Sequence, residues 1–475
     1  MANKVQVSAE PAFEFFDLFA GIGGFHAALA GFGGECAYAV EIDEHAARVY
    51  KDNWGKDPLG NILKDAYEDI SPTGEVTLKV SPKIPQRGSV PQVLVAGFPC
   101  QPFSKSGMQR GVEETRGTLF RNIFVLIEER KPALVILENV RNLIGPKHRK
   151  DYDLIIALLR DAGYRVSTEP SVISPHLLPP NSGGRPQSRD RVFITATYVG
   201  ENQDAIFDES IKPVFPSKAK SSWHPENWSL ERDLNLEEGN RITKLRLSEE
   251  ENRWIDAWGE FVKRVRADMP GLKLPGFPIW VDAFVHPDDL IIPEETPEWK
   301  ADFLKKNSEF YKSHRKTLDK WMTEFQLSSF PQSRRKFEWQ AQDAASIDET
   351  IMHFRPSGIR VKKATYVPAL VAITQTSIIA KTRRRLSTTE TANLQGLPSW
   401  FDFGTQTDAL TYKQLGNGVN VGVVWQVVKR HVERDAEFIR ELYPTLFEAI
   451  ILSPESPESR INSLRRGKLL RKLTN

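Results

Sequence analysis

A cysteine between two prolines, in Gly97-Phe98-Pro99-Cys100-Gln101-Pro102-Phe103-Ser104, is the residue of this chain best placed to act as a nucleophile. The apolar run Val93-Leu94-Val95-Ala96 before it reads as a buried parallel strand. The carboxyl end of such a strand is where open α/β sheets place their chemistry. Pro99 and Pro102 fix their own φ and push Phe98 and Gln101 out of the helical region, so the thiol sits on a stiff, extended turn. The other cysteine, Cys36, is far away in sequence, which argues against both a metal cluster and a disulfide framework. The competing role for Cys100 is that of a buried structural thiol.

Three further motifs favour the nucleophile. Asp17-Leu18-Phe19-Ala20-Gly21-Ile22-Gly23-Gly24 has glycines where a tight turn after a first strand lets backbone approach a ligand closely. Glu41 ends the next strand, eighteen residues after Gly23, where a carboxylate would accept from a ribose hydroxyl pair. Glu138-Asn139-Val140 also follows a strand; burial of Glu138 near Cys100 would raise its pKa and let it donate a proton. In isolation such a glutamate is more often a cap or a salt-bridge partner. In Gln187-Ser188-Arg189-Asp190-Arg191, alternation by two puts Gln187, Arg189 and Arg191 on one face. Arginines aimed inward there need an anion or a polar ligand, unless they lie on an exposed edge strand.

The elements that must position these groups alternate. Residues 13–19, 37–42, 93–96, 133–137 and 191–198 read as strands, and 25–29, 44–53, 119–129, 152–162 and 419–428 as helices. This alternation predicts a doubly wound, mostly parallel sheet for residues 1 to about 200. From about 200 to 380 prolines, charges and tryptophans interrupt any regular pattern, and no repeat appears. Eight of the 11 tryptophans lie there, suited to stacking on bases or, individually, to filling a core. The residues from 454 on are polar, then basic, and read as a loose appendage. At 475 residues, with 40% hydrophobic and 27% charged residues, the composition is that of an ordinary globular protein of at least two domains. No apolar run reaches membrane-span length, the N-terminus lacks a signal-peptide pattern, and two cysteines fit a reducing cytosol. The net charge of +2 points to no partner, but basic clusters at Lys312–Lys316, Arg334–Lys336, Lys362–Lys363 and Lys381–Arg385 are the type that neutralises phosphates or simply faces water.

Together these segments resemble the DNA cytosine-5 methyltransferase family. Residues 16–25 look like its S-adenosylmethionine loop, 97–104 its Pro-Cys loop, and Glu138 to Val140 its Glu-Asn-Val motif. Arg116-Gly117-Thr118-Leu119-Phe120 is similar to the segment after its mobile loop, and Gln187 to Arg191 matches its Gln-x-Arg-x-Arg motif. Residues 384–398 resemble the motif that closes its recognition domain, and 414–421 its final cofactor motif. The order is the family's.

The resemblance implies a Rossmann-like S-adenosylmethionine-dependent methyltransferase domain, residues 1–200 completed by 405–435. An inserted smaller target-recognition domain follows at 201–400, then a tail at 436–475, with DNA between the domains. It implies Cys100 as the thiolate that adds to C6 of a flipped-out cytosine, Glu138 as donor to N3, and Arg191, with Arg189, holding the base and the catalytic groups. Cofactor contacts carry over to Phe19, Gly21, Ile22, Gly24, Glu41, Ile42, Asn61, Pro99, Leu119, Asn417 and Val419. Ile42 stands where many members have an aromatic residue. Asn61 replaces an aspartate that contacts the adenine amino group, and Asp65 is the alternative. Gln101, Ser104, Ser106, Arg116 and Gln187 fall at the DNA, and no metal is implied. The implied setting is a monomeric bacterial cytosolic enzyme acting on double-stranded DNA beside a cognate restriction endonuclease, with no membrane involvement. Rival readings are a tRNA cytosine-5 methyltransferase, disfavoured by Phe98 before Pro99 and by the long insert, and a catalytically inactive DNA-binding homologue.

Overall fold

The computed structural model describes residues 11–86, 88, 92–99, 119–216, 223–234, 236, 240–270, 273–370 and 376–464. Cys100, Gln101, Ser104, Ser106 and Arg116 lie outside the described residues. The chain divides into two units, Met1–Pro225 with Ala392–Asn475, and Glu226–Thr391.

In the first unit nine strands form: β1 (Phe13–Leu18), β2 (Gly34–Val40), β3 (Ala66–Ile70), β4 (Val76–Val80), β5 (Gln92–Gly97), β6 (Leu134–Val140), β7 (Tyr164–Val166), β8 (Ser171–Ile173) and β9 (Arg191–Tyr198). Seven of them make one sheet in the order β2-β1-β5-β6-β9-β7, with β8 also on β9, while β3 and β4 pair as a separate hairpin. The sheet is covered on both faces. Phe16 and Leu18 of β1 join one apolar cluster with Ile123 and Ile155 of the helices Leu119–Arg130 and Arg149–Asp161. Alternate residues Phe13 and Phe15 are also fully buried, and Phe15 meets His26 of the helix Gly24–Gly31 edge-on. That period-two burial on both sides is why the strand sequences are almost continuously apolar.

Parallel pairing holds for β2, β1, β5 and β6. Strand β9 departs from it, lying antiparallel to β6, β7 and β8. The segment leading into β9 carries two 3-10 turns, Pro175–Leu177 and Pro180–Ser182, and no crossover helix of the kind a parallel connection needs. Strand β9 therefore fills the gap between β6 and β7 in the reverse direction and begins at the edge where β1, β5 and β6 end.

Residues 436–464 are not a tail. The helices Ala436–Leu442 and Pro444–Ile451 bury Ile439, Leu446, Phe447 and Ile450, and Ile461 is buried further on. Trp425 stacks on Phe32 and donates its indole N–H to Pro454 O at 3.1 Å. Apolar residues at helical spacing drive this packing.

The second unit, expected to be irregular, is regular. Strands β10 (Ile279–Trp280), β11 (Lys336–Gln340), β12 (Thr350–Arg355), β13 (Gly358–Lys363), β14 (Ile378–Ile379) and β15 (Arg384–Arg385) form a sheet in the order β10-β11-β13-β12-β14-β15. The helices Glu249–Asp268 and Glu298–Glu324 contribute to its core. Ser248 and Glu251 make a capping box at the start of the first. Trp258 and Trp321 are fully buried, and Trp258 stacks on Phe337 at 4.5 Å. Each buried indole finds a carbonyl, Trp258 at Arg334 O (2.9 Å) and Trp321 at Ala257 O (2.7 Å). These tryptophans are core and not base-stacking platforms.

Much of the basic sequence here is paired within the unit. Arg384 and Glu390, each 1% exposed, meet at 2.6 Å, and Arg385 reaches Glu251 at 2.5 Å. Removing one partner of a buried pair leaves an uncompensated charge. Arg384→Met alone is expected to destabilise this unit by about 3–5 kcal/mol, and Arg384→Met with Glu390→Leu by much less. Denaturant unfolding followed by tryptophan fluorescence checks both.

Candidate active site

The carboxyl edge of the sheet collects the motifs. After β1 the chain turns through Phe19 (φ 56°), Gly21 (φ 54°) and Gly23 (φ 92°). A left-handed phenylalanine costs of order 1–3 kcal/mol and persists where surroundings over-determine it. Here they do. Ala20 N–H donates to Val40 O at 3.0 Å and Gly23 N–H to Ala20 O at 2.9 Å. Trp54, from the helix Glu44–Trp54, donates to Ile22 O at 2.9 Å and fills the space a Gly23 side chain would need. A Cβ on Gly24 would lie 2.6 Å from Val419 O, so this loop and the final motif abut.

Glu41 is the polar centre of the loop. Its two carboxylate oxygens accept from Gly21 N–H and Asp43 N–H, both at 2.8 Å. Each oxygen keeps lone-pair capacity for a ribose hydroxyl. Ile42 is 69% exposed, an apolar side chain beside that carboxylate and available to a flat base. Asn417 is exposed and Val419 half-buried. This set fits a nucleoside-bearing cofactor. Three residues behave differently from expectation. Ile22 is 3% exposed, so its side chain belongs to the core. Asn61 uses its Oδ1 to cap a short helix at Leu63 N (3.0 Å), and the buried Asp65 accepts from Tyr38 Oη at 2.8 Å.

Behind the loop lies a buried polar cluster of which only Asp17 belongs to a sequence motif. Tyr50 Oη lies 2.7 Å from His26 Nδ1 and donates to Asp17 at 3.4 Å, while His26 stacks on Trp54 at 4.5 Å. Burial pushes the Asp17 carboxyl well above the usual carboxylate range. It also pushes the Cys36 thiol up to about 12, which makes that thiol inert.

At β5 and β6, Gly97 sits opposite Glu138, and a Cβ there would stand 3.4 Å from the Glu138 carboxylate. Glu138 accepts from Arg191 Nε at 2.8 Å, the first residue of β9. Burial raises the Glu138 pKa, and Arg191 and Arg189 pull it back. A carboxyl whose proton affinity burial raises is better able to hold a proton and give it up. Asn139, which the sequence motifs left without a role, donates to Phe98 O at 3.0 Å and ties the entry to the Cys100 turn onto β6. Pro99 is exposed and Leu119 opens its helix half-buried.

Arg189 is 2% exposed and donates through Nη2 to Gly416 O (2.8 Å) and Gly418 O (2.7 Å). It thereby holds the turn that carries Asn417, a positioning role besides its electrostatic effect on Glu138. Gln187 is a correction. It is fully buried, its side-chain amide has no hydrogen-bond partner among the described residues, and it offers no surface to DNA. Alternation from β9 does not extend to it, since the strand begins only at Arg191.

Among the described residues no cluster of metal-ligating side chains occurs, and no helix is long and apolar enough to cross a membrane. Gly24→Ala is expected to abolish cofactor binding. Glu41→Gln, which loses a charged acceptor, is expected to weaken it about 10- to 150-fold. Calorimetric titration with S-adenosylmethionine checks both.

Comparison with known proteins agrees with this geometry. The family model described as C-5 cytosine-specific DNA methylase matches residues 13–433. The chain is 45% identical to Type II methyltransferase M.AluI of Cellulosimicrobium cellulans, over 91% of this chain and 94% of that protein. It is 36% identical to Type II methyltransferase M.HhaI of Haemophilus parahaemolyticus, over 38% of this chain and 47% of that one. The M.AluI match is too extensive to omit the second unit. The chain belongs to the C-5 cytosine-specific DNA methylases, enzymes that use S-adenosylmethionine to methylate cytosine C5 in DNA.

Proposed function

We propose that Cys100, Glu138 and Arg191 carry the methylation chemistry, on a cytosine flipped out of double-stranded DNA. The observation that carries this reading is the 2.8 Å contact between Glu138 and Arg191 at the sheet edge, with Glu138 opposite Gly97 of β5, the strand that precedes Cys100 in sequence. Flipping is required because C6 is inaccessible inside a stacked duplex. The Cys100 thiolate forms a bond to C6 while Glu138 gives its proton to N3, so negative charge does not accumulate on the ring. Arg191 holds the Glu138 carboxyl in place and has further donors for the base's O2. S-adenosylmethionine, when bound, supplies an electrophilic methyl group. C5 forms its bond to that methyl group as the methyl–sulfur bond breaks; loss of the C5 proton, breakage of the Cys100–C6 bond and return of the N3 proton to Glu138 then restore the ring, the thiolate and the carboxylic acid.

Glu41, Ile42 and the Phe19–Gly24 loop would hold the ribose and adenine, with Pro99, Leu119, Asn417 and Val419 around them. The Asn61 amide nitrogen, left over from its capping bond, is a donor for a ring nitrogen, whereas an aspartate would accept from the amino group. Gln101, Ser104, Ser106 and Arg116 would touch DNA. Likeness to Type II methyltransferases supports a modification enzyme; we read it as a monomer of the bacterial cytosol acting beside a restriction endonuclease.

Cys100→Ser is expected to abolish transfer while leaving S-adenosylmethionine affinity unchanged, and Glu138→Gln to lower kcat by about 10²- to 10⁴-fold. Transfer of labelled methyl to unmethylated genomic DNA, with tRNA in parallel, provides the measurement. Full activity of Cys100→Ser, or label in tRNA alone, would overturn the reading.

A further inference from the structure

The sheet of the second unit has two unlike faces. Phe337, Trp339, Ile359, Val361, Met352 and Phe354 enter the core, and the alternate residues of the same strands face away from it. The strand register arranges those alternates in rows. Trp280 pairs with Lys336, and Arg355 pairs with Gly358, which lies beside Lys336. The next row runs Glu338, Arg360, His353, and the third pairs Gln340, Lys362 and Ile351.

Positive charge on this face exceeds its compensation. Arg360 is paired to Glu338 at 2.7 Å. Among the described residues Arg355, Lys336 and Lys362 make no ion pair and no side-chain hydrogen bond. Lys336 lies over the Trp280 ring at 5.3 Å and Lys362 over Tyr366 at 4.9 Å. Burial and mutual repulsion lower the proton affinity of Lys362 and Arg355, and with them hold His353 down to about 3, a neutral imidazole bonded to Ser377 at 2.7 Å. Glu226 faces Lys362 and Glu338 faces Arg355, but they offset only part of this charge, and the remaining cations, which repel one another, are stabilised by an external anion.

Shape adds a second constraint. The first row borders a cleft of about 770 Å³ lined by Trp280, Trp299, Lys336, Arg355, Gly358 and Arg360, among others. Gly358 has φ 139°, and a Cβ there would stand 2.9 Å from Lys336 Cβ. It leaves a notch between Lys336 and Arg355, which lie two strands, about 10 Å, apart.

We propose that this polar sheet face is a duplex-DNA contact surface, with Lys336 and Lys362 on phosphates and Arg355, beside the notch, reading a base edge. Its occupant follows from charge complementarity: a polyanion long enough to span several rows, with base edges that a guanidinium fork can read. The proposal rests on the DNA methyltransferase reading and says which surface of the second unit meets that substrate. The other basic cluster, Lys312 and Lys316 on an exposed helix face, serves as its control.

The test measures anisotropy of a fluorescein-labelled mixed-sequence duplex against salt, with methylation mapping on genomic DNA. Lys336→Gln with Lys362→Gln should flatten the slope of log K against log salt by about 1.8, close to 0.9 for each phosphate no longer neutralised. Lys312→Gln with Lys316→Gln, equal in charge change, should leave it unaltered. Arg355→Ala and Arg355→Lys should both relax discrimination at one position of the methylated site by roughly 5- to 150-fold, since lysine keeps the charge but not the fork. Equal slopes for the two lysine pairs, or an unchanged methylation pattern in both Arg355 variants, would overturn the proposal while DNA methylation by the wild type stands. Absence of methyl transfer to DNA by the wild type would overturn both readings.

Discussion

A carboxylate buried at a sheet edge needs a fixed cation, and the contact of Glu138 with Arg191 is the constraint on which the catalytic edge depends. Alone, Glu138 would be driven neutral by burial, and alone, Arg191 would be a desolvated charge. Together they form a hydrogen-bonded ion pair of fixed geometry. Meeting this requirement takes the reversed strand β9, whose first residue lies where β6 ends. Gly97 keeps the neighbouring position clear, and Asn139 holds the chain that leads to Cys100. Arg189, two residues before Arg191, secures the Gly416–Gly418 turn, so one short segment holds both the Glu138 carboxyl and the turn that carries Asn417.

The cofactor loop obeys a different constraint, close packing of backbone. Gly21 and Gly23 adopt positive φ, Gly23 abuts Trp54 and Gly24 abuts Val419, so the loop is held by an indole and by a segment far along the chain. Polar groups beneath it, Asp17, Tyr50 and His26, are paired with one another, which limits the cost of burying them. A loop built this way presents Glu41 in one conformation, the preorganisation a binding site needs.

The second unit was the least legible part of the sequence. Its helix Glu249–Asp268 was nevertheless signalled by Ser248 and Glu251 and by buried Ile255, Trp258, Phe261, Val262 and Val265 at helical spacing. Dense aromatic and charged residues obscured that periodicity. The basic clusters misled for another reason. Arg384 and Arg385 look like phosphate ligands as neighbours in sequence, yet their partners are Glu390 and Glu251, and Glu251 lies 134 residues away. A charge run does not reveal its counter-ions. Residues 436–451, read from the sequence as part of a tail, form two helices whose buried apolar residues lie at helical spacing.

By itself the sequence determined five strands of the first unit, β1, β2, β5, β6 and β9, and three features at their ends: the glycine turn after β1, Glu41 after β2 and Glu138 on β6. Alternation and chain stiffness are local properties, and local chemistry encodes them. Tertiary structure decided which of these ends meet. It reversed β9, brought Arg189 to carbonyls 227 and 229 residues away, and turned Gln187 inward. Periodicity reports the face a side chain occupies, but strand order and direction follow from how long connections pack, and that is settled only when the whole core closes.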